Sequence, residues 1–131
     1  MDISDALAFL EENRGAGTLV TLHADGRPQV SVVGAVIVDG TLWISATQTR
    51  VKTRNIRRDP RVVFTLGTRP WVAVEGTASI RDDETTVLDE LRTYYRKAAG
   101  EHPDWNDYDD AMIREQRLII EITPARAYGN A

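Results

Sequence analysis

Arg50, Lys52, Arg54, Arg57, Arg58 and Arg61 fall within one short stretch, RVKTRNIRRDPR, in which Asp59 is the single acid. Six of the chain's 16 basic side chains thus stand together in a protein whose net charge is -4. So local a reversal of sign focuses the electrostatic field and can gather a small anionic ligand. The competing reading is a solvated, charged helix face. The stretch follows a strand-like run, Leu42 to Ala46, and ends at Asp59-Pro60, which predicts one or two turns of helix. At such a strand-to-helix corner the first N–H groups of the helix add to the cationic side chains.

Other chemistries find little support. Cysteine is absent, which excludes disulfides, thiolate metal sites and thiol catalysis. His23 and His102 are the only histidines and stand far apart, so no metal site is expected. Ser4, Ser31, Ser45 and Ser79 lack a nucleophile-elbow context, and no glycine-rich phosphate loop is present. The acidic segment Glu101 to Asp110 misses the calcium-loop spacing and reads as a solvated loop. Trp43, Trp71 and Trp105 read as core or interface residues, with Trp71, after Arg69-Pro70 at a strand start, placed to flank a pocket. A pI near 5.1 suits a small multiply charged anion better than nucleic acid. No residue is assigned a catalytic role.

The elements that must position the basic stretch can be read from periodicity. With 131 residues, of which 42% are apolar, the chain predicts a single domain spanning 1–131. Ser4 is the expected cap of a first helix carrying Ala6, Leu7, Phe9 and Leu10 on one face, stopped by Gly15 and Gly17. Strands are predicted at Thr18 to His23, Gln29 to Val38 and Thr41 to Ala46, joined by turns at Asp25-Gly26 and Asp39-Gly40. The second of these, QVSVVGAVIV, does not alternate, which predicts that both faces are covered, one of them by a partner subunit, a cofactor or a helix. Gly34 in its middle suggests a bulge or a close backbone approach.

Further strands are predicted at Arg61 to Leu66, Trp71 to Ile80 and Leu118 to Ile122. A helix should start at Asp82 to Glu84 and end near Gly100, and a short one should cover Asp109 to Glu115. Six short strands and few helices predict a mainly β, antiparallel barrel with flanking helices. No apolar run reaches the roughly 20 residues of a membrane span, and the acidic N-terminus is unlike a signal peptide, so a cytoplasmic protein is expected.

In this order and spacing, His23 to Pro28 (HADGRP), Gln29 to Val33 (QVSVV), R-x-K-T-R-N-I-R-R-D-P from Arg50, W-x-x-V-E-G-T-A from Trp71, GEHPDWNDY from Gly100 and the terminal Tyr128-Gly129 carry a resemblance. The chain resembles the split β-barrel flavin and deazaflavin oxidoreductases typified by pyridoxamine 5'-phosphate oxidase, and most closely the branch that uses coenzyme F-420.

The resemblance implies a homodimer with cofactor sites at the interface, built from both chains. By position it makes Lys52 the contact to the cofactor phosphate with Arg50 beside it, adds Arg54 and Arg58, and lays Gln29, Ser31 and Val32 along the ring. It implies a reductase that passes hydride from the deazaflavin to a small unsaturated acceptor. The alternatives are an FMN-binding oxidoreductase of the same fold and a non-catalytic F-420 carrier. Ser31 and Val36 stand where pyridoxamine phosphate oxidases use basic residues, so oxidation of pyridoxamine phosphate is not implied. Such cofactors perform hydride transfer themselves, which accounts for the absence of a catalytic triad.

Overall fold

A computed structural model describes residues 1–131. Two Asp-Gly turns set the first three strands. β1 (Ala16–Leu22) and β2 (Pro28–Val38) meet around Asp25-Gly26, where Gly26 has φ 88. β2 and β3 (Thr41–Thr47) meet at Asp39-Gly40, with φ values of 47 and 79, the left-handed pair of a tight hairpin. After α2 (Val51–Arg58) come β4 (Arg61–Gly67) and β5 (Trp71–Arg81), then α3 (Val87–Ala99), α4 (Trp105–Arg114) and β6 (Arg117–Gly129), while α1 (Ile3–Glu12) precedes them all. The strands close an antiparallel barrel in the order β1-β2-β3-β6-β5-β4, the architecture that six strands with few helices predict.

Inward residues of every strand make one core. Leu19, Leu42, Ile44, Phe64, Val72, Val74, Leu118, Ile120 and Ile122 are essentially inaccessible, and α1 and α2 add Ala6, Leu10 and Ile56 to them. At about 1.5–3 kcal/mol for each large side chain, this burial is the main force holding the barrel closed. Gly17, expected as a helix stop, instead lies inside β1, where an added Cβ would stand 2.4 Å from the Phe64 ring and 2.6 Å from the Thr65 carbonyl oxygen. A second core lies outside the barrel: Val36, Trp43 and Ile119 point outward and are covered by Leu91 of α3 and Tyr108 of α4.

Several boundaries differ from the sequence reading. Asp2, not Ser4, occupies the cap of α1, and Ser4 falls within its first turn. Asp83 accepts hydrogen bonds from the Thr85 amide (2.8 Å) and hydroxyl (2.7 Å), a local turn that delays α3 to Val87. The acidic segment is not all loop, because Asp104 accepts from the Asp107 amide at 3.1 Å and caps α4 from Trp105 onward. β6 runs seven residues beyond Ile122, pairing with the first half of β5 across a bulge between Glu75 and Gly76 that sets Gly76 against Pro124. No bulge occurs at Gly34; its carbonyl instead accepts the Tyr94 hydroxyl at 2.8 Å.

The barrel is split beside β2. Along Pro28–Gly34 this strand pairs with β1, but its ladder to β3 holds only Ala35–Val38, because β3 continues along β6. The other edge of β2 is therefore open at Val30 and Val32. Their side chains point outward and are 59% and 74% exposed, beside the outward face of β1 and β4. Helices cover the outward face of β3, β6 and the end of β2 at Val36 but not this stretch, so Val30 and Val32 have no cover within the chain. No helix is long and apolar enough to cross a membrane.

Candidate functional site

α2 sorts its four cations by its period. Thr53, Asn55 and Ile56 face inward and are buried, which turns Arg54, Arg57 and Arg58 outward and leaves Lys52 at the start of the inward face. Arg57 donates to Asp82 at 2.9 Å and to Gln48 at 2.8 Å; its bond to Asp82 and the one Gln48 Nε2 donates there at 3.1 Å lower the Asp82 pKa. Arg61 is paired with Asp59 at 2.8 Å, and its hydrogen bonds bring that carboxyl down to about 2. Arg58 donates to the Leu22 carbonyl and, at 3.1 Å, to Asn55 Oδ1.

Arg50, Lys52 and Arg54 remain without an acceptor or acidic partner in the chain. Lys52 is the most constrained of them. Burial lowers its pKa, and the positive charges of Arg50 and Arg117 lower it further. A half-buried ammonium ion whose charged neighbours are also cations is stabilised by an anion and destabilised by its absence. It stands in the first turn of α2, beyond an Arg50 cap that makes no capping bond, so the adjoining N–H groups are unopposed as well. The Thr53 hydroxyl fixes that turn by donating to the Thr47 carbonyl at 2.8 Å.

Arg117 opens β6 opposite Thr47, at the end of β3. Its charge acts on Lys52 and also on Tyr94, whose hydroxyl sits on the Gly34 carbonyl and whose pKa burial raises. Through Arg117 and Tyr94 the cationic group is thus linked to Gly34, beside the open edge of β2. Sequence reasoning missed Arg117, because it belongs to the terminal strand and is remote in sequence from the basic stretch.

Gln29, Ser31 and Val32 do not share a face. Gln29 and Ser31 pair with Thr21 and Leu19 and turn inward with them, whereas Val32 turns outward with Thr18. A ligand touching all three must meet the strand at its edge, which is the open one. Thr21 is fully buried and tied to Gln29 at 2.9 Å and to Asn55 at 3.1 Å. A threonine in the inward register of Gly17 and Leu19 is the signal that could have marked it.

Trp71 is not brought to the cationic group. It opens β5 opposite the end of β6, while Arg117 lies near the opposite end of both strands. The 11 residues of β5 put roughly 30 Å between these ends at about 3.3 Å per residue. Trp71 instead meets Tyr128 edge to face at 6.2 Å, and Tyr128 donates to Glu75 at 2.8 Å beside Arg126. A groove of about 310 Å³ next to this group includes Val20, Val63 and Glu75.

The barrel order, the split beside β2 and the cationic corner define the class. Residues 3–131 match the pyridoxamine 5'-phosphate oxidase family, and the chain belongs to that family of flavin-barrel oxidoreductases. Solved structures agree in fold. A conserved hypothetical protein from Mycobacterium tuberculosis is 26% identical with a TM-score of 0.80, over 98% of this chain and 84% of that one. A protein described as an F420 reductase is 24% identical with a TM-score of 0.70, over 92% and 94%. General stress protein 26 from Bacillus anthracis is 19% identical with a TM-score of 0.68, over 98% and 94%.

Proposed function

We propose that this chain binds coenzyme F-420 and works as a reductase, passing hydride between the deazaflavin and a small unsaturated acceptor. The observation that carries the reading is Lys52: half-buried, opposed by Arg50 and Arg117, and without an acid. That arrangement fits a phosphate. Arg50 and Arg54, exposed and unpaired, are placed to meet further carboxylates, and F-420 supplies these through an oligoglutamate tail whereas FMN has only its phosphate. The F420 reductase among the similar structures supports the same choice.

When bound, the deazaflavin supplies the hydride chemistry; the protein supplies binding, orientation and exclusion of water. Lys52 and the first turn of α2 hold the phosphate. Gln29, Ser31 and Val32 flank the ring at the open edge of β2. The bare face at Val30 and Val32 takes a second copy of the chain, and in that dimer Trp71 of one protomer reaches a site whose basic corner its own chain cannot offer it. The family match favours FMN as the second reading. Parallel titration of the unliganded protein with F-420 and FMN tests the choice, and bound yellow flavin in the purified protein would support FMN. Tight F-420 binding without turnover of any acceptor would leave a carrier.

A further inference from the structure

We propose that Asn55 and Thr21 are positioning residues, which through Gln29 hold the Ser31 hydroxyl as an obligate hydrogen-bond donor to the ring of the bound cofactor. The inference rests on the reading that a planar heterocycle meets the open edge of β2.

Polarity in this network is set by two one-way groups, the Arg58 guanidinium and the Val30 carbonyl. The Arg58 guanidinium has donors only, so the Asn55 atom facing it at 3.1 Å is the carbonyl oxygen Oδ1. Asn55 Nδ2 then donates to Thr21 Oγ1 at 3.1 Å. The Val30 carbonyl can only accept, so the Gln29 atom facing it at 3.1 Å is Nε2. Gln29 Oε1 is thereby turned to Thr21, whose hydroxyl donates to it at 2.9 Å, and Nε2 also donates to Ser31 Oγ at 3.0 Å. Ser31 ends the series by accepting, and its own hydroxyl hydrogen has no acceptor in the chain.

The interior links cannot be replaced by water at small cost. Thr21 is 0% and Asn55 3% exposed, and no buried side-chain polar atom lacks a partner, so reversing one link leaves a buried group unsatisfied. Ser31 itself is only half-buried, at the split. A hydroxyl fixed in this way offers its hydrogen at the split, and its complement is an acceptor: a ring carbonyl or an unprotonated ring nitrogen.

A purely structural network would tie α2 to the β1–β2 hairpin and do nothing more. Thr21→Val removes the hydroxyl while keeping the shape, Thr21→Ser restores it, and Gln29→Leu cuts the series at a half-buried position should Thr21→Val not fold. Each is titrated with F-420 and FMN by ring fluorescence, with inorganic phosphate as competitor. Thr21→Val and Gln29→Leu are expected to weaken the ring-bearing ligands about 2- to 12-fold, the range of one net hydrogen bond. They should shift the bound-ring absorption band and leave the phosphate competition constant unchanged. Thr21→Ser should recover affinity and spectrum, and in a Ser31→Ala background Thr21→Val should cost nothing more.

A lowered melting temperature with wild-type affinity and spectrum would overturn the proposal, and so would additive losses from Thr21→Val and Ser31→Ala. If Lys52→Ala weakens both cofactors while Ser31→Ala weakens neither, the positioning role fails and the cofactor site stands. If Lys52→Ala has no effect, the site reading fails and the positioning role goes with it.

Discussion

The Arg57 guanidinium lies 2.9 Å from the Asp82 carboxylate, while Lys52, one and a half turns earlier on the same helix, has only Arg50 and Arg117 as charged neighbours. One basic run therefore contains cations with two different tasks. Arg57, Arg58 and Arg61 fasten the helix to its surroundings; Arg50, Lys52 and Arg54 keep their charge available.

Arg57→Ala and Lys52→Ala separate those tasks. The Arg57 pair is substantially exposed and contributes little, so its loss should change stability by less than about 1 kcal/mol and cofactor affinity hardly at all. Lys52→Ala should cost about 1.5–3 kcal/mol of binding, the range of a hydrogen bond to a charged group. Fluorescence titration of both variants checks this, and equal effects would contradict the division.

Lys52 should also trade stability for binding. Its pKa in the folded chain lies below the ordinary lysine value, so across the alkaline window between the two the unfolded chain binds more protons. Stability of the unliganded protein from this group therefore rises with pH through that window, and at neutral pH the buried charge opposes folding. Lys52→Met should melt higher than the wild type at pH 7 and lose the alkaline rise, while binding cofactor more weakly. A lower melting temperature with binding intact would show that Lys52 is a structural residue.

The bare side of β2 predicts a dimer. Val30 and Val32 are 59% and 74% exposed in a row that continues into covered Val36. Light scattering should give twice 14.6 kDa, and Val32→Glu should shift the protein to monomer and remove cofactor binding together. A wild-type monomer that binds cofactor with full affinity would contradict the shared site.

Gly17 tests the barrel itself. A Cβ there meets the Phe64 ring at 2.4 Å and the Thr65 carbonyl at 2.6 Å, so Gly17→Ala should destabilise by about 1–3 kcal/mol in denaturant unfolding, without affecting the candidate site directly.

The barrel was legible in the sequence because its strands are rich in β-branched residues and the first three are punctuated by Asp-Gly turns. The second half of β6 was not, since Pro124 and the charged Arg126 break its alternation and only pairing across the Glu75 bulge makes it a strand. Charge counting singled out the cationic corner but gave Arg57 and Arg61 the same weight as Lys52, because their neutralising partnerships depend on chain folding for Asp82 and on local geometry for Asp59. The resemblance lays Gln29, Ser31 and Val32 along the ring, and the pleat, which places Val32 on the face opposite the other two, leaves the strand edge as the place where all three can be met. The Trp71 position was legible only as a strand start; its distance from the basic corner is a property of the closed barrel.

The most direct measurement of the central claim is the salt dependence of F-420 and FMN binding, side by side, to wild type and to Arg50→Ala and Arg54→Ala variants. Exposed cations meeting tail carboxylates weaken as salt screens them, over a Debye length of about 10 Å at 0.1 M. F-420 affinity should fall more steeply with ionic strength than FMN affinity, and the two variants should lose part of that difference. Arg58, engaged with Leu22 and Asn55, should contribute less to it than either. Parallel salt slopes, with F-420 binding unchanged by both substitutions, would contradict the account and leave FMN as the better assignment.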